Sequence, residues 1–281
     1  MSLDERLTAN ASSITPAERL VAEVVVADRE LVAFGTVAQV AARAGSSGAS
    51  VVRLADRLGF AGFKGMQEAV QAELSGRLRP AVEKIRRPAA GDLLSETAAV
   101  AAAAVHSTLG SVDRSDWERA VRLLARRRNR VLVLSGDAGA GVARQAVTHL
   151  SMLRDGVAEL GGSTVAVGRQ LAGTAAGDVV LCVDLPRHDR WVLDAVSAAR
   201  GRGLSVVAVA DSPLSPLAGL SDVAFAAAAP DVGPFDSYVA VLALVEALVA
   251  AVAVRLKGSA VEHLDSVESL WHDTGALNDF S

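Results

Sequence analysis

The chain offers little to chemistry that depends on thiols, metals or cofactors. It carries one cysteine, Cys182, inside an apolar run, so no disulfide framework can form and no Cys/His spacing suits zinc. Five histidines (His106, His149, His188, His263 and His272) are scattered with no i,i+4 pair, and no metal is expected. Gly136-x-x-Gly139-x-Gly141 follows an apolar run but departs from G-x-G-x-x-G, so no dinucleotide cofactor is expected. The start, MSLDERLTAN, lacks the basic-then-apolar order of a secretory signal. The longest apolar stretch, 238–254, is short of the roughly 20 residues of a membrane span and is interrupted by Glu246. It reads as a buried or dimer-interface helix, no membrane partner is expected, and a reducing cytoplasm is the expected compartment. A net charge of −4 excludes a wholly basic nucleic-acid binder, so charge has to be read locally. Aromatics are only 4% of 281 residues, which leaves alanine, valine and leucine to build the core. Small aliphatic side chains suit helices packed on parallel strands.

What is present divides by pattern. Residues 1–76 read as short helices only. Thr15-Pro16-Ala17-Glu18 has the order of a capping box, and Thr36-Val37-Ala38-Gln39 repeats it. Val37, Val40, Ala41 and Ala44 form one apolar stripe that Gly45 ends; Val51, Leu54, Ala55 and Leu58 form the next, ended by Gly59. Residues 77–91 mix arginine, lysine, proline and glycine and read as a linker. After two helices, short apolar runs at 131–134, 164–167, 179–183, 206–210 and 223–226 alternate with helical patterns. That alternation predicts an α/β domain over 92–257, with a parallel five-stranded sheet flanked by helices. Residues 258–281 read as a polar tail.

The two helices around Gly45 have the lengths and short turn of a helix-turn-helix. The second would enter the major groove by its N-terminal end, where Ser46, Ser47, Gly48, Ala49 and Ser50 are small enough for close approach. Thr36 at the start of the first helix, Arg53 one turn into the second, and Lys64 beyond it complete the candidate DNA-binding set. Arg43, Arg53, Arg57 and Lys64 against Asp56 make the 43–64 stretch basic, while residues 1–80 hold nine charges of each sign. The footprint is therefore a stripe, and affinity for a double-stranded operator should depend on dimerisation. Small residues at a helix start also make plain caps, so a helical module for protein docking stays open.

Thr15-Pro16-Ala17-Glu18-Arg19, the run from Ser47 to Arg53, Leu58-Gly59-Phe60 and Gly62-Phe63 resemble the N-terminal domain of RpiR/MurR-type transcription regulators. Gly48 and Ser50 stand where that family usually has an acidic residue and a threonine, so an operator sequence does not transfer. Residues 92–257 resemble the sugar-isomerase-like (SIS) domain that follows it, through Arg130-Val131-Leu132-Val133-Leu134, Gly177-Asp178-Val179-Val180 and Ser215-Pro216-Leu217-Ala218 with Asp222.

The resemblance implies a homodimer in which hydroxyl-rich loops hold a phosphosugar effector. Here the first loop reads Ser135-Gly136-Asp137-Ala138-Gly139-Ala140-Gly141, with Gly139 aligned on the family's serine. The second reads Asp184-Leu185-Pro186-Arg187-His188-Asp189, where the family has Ser-x-Ser-Gly-x-Thr. Two readings follow: a pocket retuned for a small anion by Arg187, His188 and Arg190, assisted by Ser135, Gly139, Ser212 and Ser215, or a ligand-free dimerisation scaffold. A sugar-phosphate isomerase is the remaining alternative. With the loop hydroxyls replaced and no recognisable base, no catalytic residue is expected. Arg126-Arg127-Arg128 with Arg130 is a dense basic run, attributable to a helix end that attracts cations. Trp117, Trp191 and Trp271 are expected to be packing anchors.

Overall fold

A computed structural model describes residues 3–10, 13–77, 85, 91–185, 189–213 and 215–276, leaving aside the side chains of 4, 5, 8, 9, 27, 30, 34 and 72–77. The chain forms two compact units, Met1–Pro80 and Ala81–Ser281.

The first unit is all helix: α1 (Leu3–Asn10), α2 (Pro16–Ala27), α3 (Arg29–Phe34), α4 (Val37–Arg43), α5 (Gly48–Arg57) and α6 (Gly62–Arg77). Starts are fixed locally. Thr15 and Glu18 form a reciprocal capping box at α2, and Thr36 and Gln39 form another at α4. Gly45 takes φ +57°, which a side chain would strain, and so turns α4 into α5. The apolar stripes meet in one core of Val21, Val25, Val40, Val51, Leu54, Leu58 and Met66. The amides of Gln67 and Gln71 donate to Val32 O, Gly35 O and Ala33 O, holding the end of α3 against α6.

The second unit opens with α7 (Leu93–Gly110) and α8 (Arg114–Leu124), then winds as β1 (Val131–Ser135), a 3₁₀ turn (Asp137–Gly139), α9 (Ala140–Ser151), β2 (Val157–Glu159), α10 (Thr164–Ala172), β3 (Val179–Val183), α11 (Arg190–Gly201), β4 (Ser205–Ala210), α12 (Pro216–Gly219), β5 (Val223–Ala226), α13 (Val239–Leu256) and α14 (Gly258–Thr274). The sheet order is β2-β1-β3-β4-β5, and every pairing is parallel. Strand alternation sorts the core. Val131, Val133, Leu181, Val183, Val209 and Phe225 face α8, α9 and α13. Leu132, Leu134, Val180, Cys182, Val206 and Ala208 face α10, α11 and α12. Both faces of the sheet are covered, as parallel strands require.

Aspartates fasten the strand starts. Asp178 accepts from Arg130 N (2.8 Å) and Ala175 N (3.0 Å), and Asp222 from Val206 N (2.8 Å). Thr108, buried in α7, accepts from Ala228 N at 2.9 Å and ties that helix to the segment after β5. Trp117 meets Phe225 edge-on at 6.2 Å, which supplies its packing partner. α13 is, among the described residues, the helix long and apolar enough to cross a membrane. Its Val241, Leu244, Val245, Leu248 and Val252 are buried in the core, and Glu246 lies on the exposed side.

One expectation is corrected. Residues 164–167 are not a strand: Ser163 accepts from Ala166 N and starts α10 there. The strand is 157–159 instead, an edge strand whose half-exposed residues give no continuous apolar signal. Within the polar tail, Gly258–Thr274 is helical; Lys257, at φ +42°, turns the chain from α13 into α14.

One buried cation organises the lower edge of the sheet. Arg154, 1% exposed, donates to Leu124 O (2.6 Å), Arg127 O (3.4 Å), Asp155 O (3.0 Å) and Asn129 O. It closes the end of α8 and the turn into β1 through backbone carbonyls. Arg154→Met strips those carbonyls of their donor and should lower unfolding free energy by about 2–4 kcal/mol in urea titration. A loss within experimental error would show that solvent satisfies them equally well.

Candidate functional site

In the first unit, α5 presents two faces. Val51, Leu54 and Ala55 are buried, while Ala49, Val52, Arg53 and Asp56 are exposed. Ser47 caps the helix by accepting from Ser50 N at 3.2 Å. Ser50 is 2% exposed, and its hydroxyl lies 3.0 Å from Ser47 Oγ and accepts from Arg53 Nη2 at 3.2 Å. Arg53 is thus pre-positioned on the exposed face by the helix's own first turn. Ser46 Oγ donates to Ala17 O at 3.2 Å, fixing the turn on α2. A Cβ at Gly48 would come within 3.2 Å of Val37 Cγ1, so the glycine lets α5 start close against α4.

The predicted residues therefore separate. Ser47, Ala49 and Arg53 are brought together on the exposed N-terminal part of α5. Ser50 is a buried positioning group, and Ser46 is a half-buried tether. Thr36 is the exposed cap of α4. Lys64 lies on α6, past the far end of a helix about 15 Å long, and pairs with Glu68 at 3.9 Å. Val52 was missed by the sequence reading. It is 38% exposed, off the apolar stripe that its neighbours follow, and that mismatch is the signal that marks it. An exposed methyl pair there suits a thymine methyl.

The angle between α2 and α5 is held by an ion pair that sequence spacing does not reveal. Glu18, 1% exposed, accepts from Arg57 Nε (3.0 Å) and Nη2 (3.2 Å) and from Thr15 N (2.9 Å). Burial pushes its carboxyl up, but the Thr15 amide and the Arg57 guanidinium together outweigh this and hold it below the usual glutamate value of 4.5.

In the second unit the chain leaves β1 for α9 on one face of the sheet and β3 for α11 on the other. The crevice between the carboxyl ends of β1 and β3 is where open parallel sheets hold ligands. Here it is bridged from within. Asp189 Oδ2 accepts from Asp137 N at 3.0 Å, across from one loop to the other. A Cβ on Gly136 would lie 2.7 Å from Asp184 Oδ1 and 2.8 Å from Asp189 Oδ2, so both carboxylates rest on that glycine. Asp184 is 5% exposed. Tyr238, whose ring lies 3.5 Å from where a Cβ of Gly139 would be, has its hydroxyl pushed up to about 12 by burial and by Asp184, Asp236 and Asp189. Buried Cys182 is raised well above the usual thiol value by desolvation, with Asp184 adding to it. No group of three or more His, Cys, Asp or Glu side chains is arranged to hold a metal among the described residues.

Of the effector candidates, Ser135 is half-buried beside the crevice and Gly139 is buried against Ser135 and Val183 O. Ser215 is buried and spends its hydroxyl capping α12 by accepting from Ala218 N at 3.0 Å. Ser212 is half-buried, and Arg190 is exposed in the first turn of α11. Arg187 and His188 lie outside the described residues.

A capped, two-helix reading element in one unit and a doubly wound parallel sheet in the other define a helix-turn-helix regulator with a sugar-isomerase-like domain. Residues 1–77 match the helix-turn-helix domain of the rpiR family, and residues 122–251 match the SIS domain. The chain belongs to the RpiR family of transcription regulators. It is 23% identical over 214 residues to the uncharacterized HTH-type transcriptional regulator YbbH of Bacillus subtilis (strain 168), covering 75% of this chain and 74% of that one. Among solved structures, the sugar isomerase domain of an RpiR transcription factor from Sphaerobacter thermophilus superposes with a TM-score of 0.58 at 29% identity, over 64% of this chain and 99% of that one. The Vibrio vulnificus NanR protein, solved with ManNAc-6P, gives a TM-score of 0.58 at 22% identity, over 96% and 97%.

Glu18 supports the fold while ionised and loses that support when protonated. Because its folded value is depressed, the contribution is present above pH 4.5 and fades as pH falls through the lower, folded value. Glu18→Gln should cost roughly 2 kcal/mol at pH 7 and flatten the acid side of the stability profile. Chemical denaturation of both proteins from pH 7 to pH 3 checks it; parallel profiles would remove the pair from the acid response.

Proposed function

We propose that this chain acts as a cytoplasmic homodimer that reads double-stranded operator DNA with the N-terminal part of α5. The single observation that carries the reading is the pre-positioned Arg53, aimed from an exposed helix face whose first turn is made of serine, glycine and alanine. A guanidinium so placed can pair with a guanine edge, and the small first turn lets the helix sit deep in the groove. The near-neutral first unit supports a requirement for two copies. α7 supports a partner at the second unit: it is alanine-rich through its middle, and its Leu93, Leu94 and Leu109 are 51%, 83% and 40% exposed. Covering such a surface is the usual outcome for an apolar patch of this kind.

For the α/β domain, the geometry favours a dimerisation scaffold over a phosphosugar sensor. The phosphosugar reading draws on the ManNAc-6P bound by NanR, and Arg190 with Ser135 and Ser212 could contribute donors to it. Against it, the Asp137 amide already receives Asp189, and the Asp184 carboxylate rests on the same loop at Gly136. A phosphate would have to displace one anion and lie beside the other. The sequence Asp184-Leu185-Pro186-Arg187-His188-Asp189, which replaces the hydroxyls of the family's Ser-x-Ser-Gly-x-Thr loop, supports a non-enzymatic role.

Two outcomes test this function. Arg53→Ala should weaken binding to sites found by genomic footprinting by about 1–3 kcal/mol if it pairs with a base, and unchanged affinity would favour protein docking. ManNAc-6P at millimolar concentration should leave the melting temperature of the wild-type chain unmoved. A saturable rise of several degrees would restore the sensor.

A further inference from the structure

The edge of the sheet opposite the crevice gathers the connections that enter β1, β2, β3 and β4. Arginines tie these connections together. Arg154 holds the carbonyls of Leu124, Arg127 and Asn129. Arg130 donates to Gly173 O at 3.3 Å, and Arg202 to Ala172 O at 3.2 Å, so both guanidinium groups converge on the turn after α10. Asn129 donates to Gly177 O, which binds the 126–130 turn to the same place. Arg126, Arg127 and Arg128 are exposed. No hydrogen bond or ion pair occupies their side chains among the described residues.

Two of the acids at this edge are engaged by amides or arginines, and a third sits beside a histidine. Asp178 is buried and accepts from two backbone amides. Asp222 lies 3.8 Å from both Arg119 and Arg200. Asp155 faces His263 at 3.9 Å. Arg126, Arg127, Arg128, Arg130 and Arg202 are left with no carboxylate partner among the described residues.

Helix C-termini attract cations, which would account for some of this charge. The account falls short for the 126–128 run. α8 ends at Leu124, and its carbonyl is already taken by the buried Arg154. Three adjacent guanidinium groups beyond that cap only repel one another unless something negative sits against them. Arginine forks match phosphate oxygens two at a time. The connections at this edge contain no aromatic residue, so the stacking on which single-strand binders rely is absent.

We propose that this edge is a second DNA-contacting surface, which grips the phosphate backbone of a duplex without reading its bases. It differs in residues and in unit from the α5 face, and it draws on the regulator reading only in choosing DNA among polyanions.

The test uses the full chain and a random-sequence duplex, with affinity measured across a salt series. Replacing Arg126, Arg127, Arg128 and Arg130 together by Gln should lower the slope of log K against log salt by about three to four and weaken binding at least tenfold at low salt. The corresponding Lys variant should keep most of the slope, which separates charge from packing. Equal slopes for wild type and a folded Gln variant overturn the proposal. If the Gln variant does not fold, a Lys variant with the wild-type slope supports it and one with the Gln-like loss expected above overturns it. Arg53→Ala failing to affect footprinted sites would sink the α5 reading and leave this surface standing.

Discussion

Parallel pairing imposes the constraint from which the second unit's properties follow. When five strands run the same way, every strand end and the start of each helix that follows a strand fall on one edge, and those helices end towards the other. The starts carry partial positive charge and the ends partial negative charge. The chain follows this polarity with its own side chains: Asp137, Asp184 and Asp189 lie at the first edge, and Arg126–Arg128, Arg130, Arg154 and Arg202 at the second. Asp155, Asp178 and Asp222 also lie at the second edge and Arg190 at the first, so what sets the two apart is the run of exposed arginines at the second. An anion held in the crevice would lie beside Asp184 and Asp189. The exposed guanidinium groups of 126–128 lie at the opposite edge.

The first unit rests on shorter-range devices. Two capping boxes and a left-handed glycine set where α2, α4 and α5 begin, and each acts within three or four residues. The Glu18–Arg57 pair reaches across the fold, joining residues 39 apart to lock the reading helix on its support. Buried ion pairs are a costly way to stabilise a protein but an effective way to fix an orientation. Orientation is what a helix that must enter a groove requires.

Legibility followed the same division. The caps, the turn glycine and the four apolar runs that became β1, β3, β4 and β5 were readable because each is written in contiguous residues. β2 was not, since Val157–Glu159 has one neighbour strand and half-exposed side chains. The missing loop hydroxyls were visible in the sequence. What replaced them was not: Asp189 meets Asp137 N only once β1 and β3 lie side by side. Ser50 looked like a contact residue because it is small and polar, yet the structure buries it to hold Arg53.

Cys182 lies on the central strand β3 with its sulfur fully enclosed. A thiol so shielded and held protonated is inert to maleimides and nitroxide reagents under native conditions. The protein is therefore, without any engineering, a clean background for site-directed labels. A cysteine placed on the exposed face of α5 and another on the basic edge would be its only reactive thiols, and a dye pair there would report the distance between the two surfaces in solution.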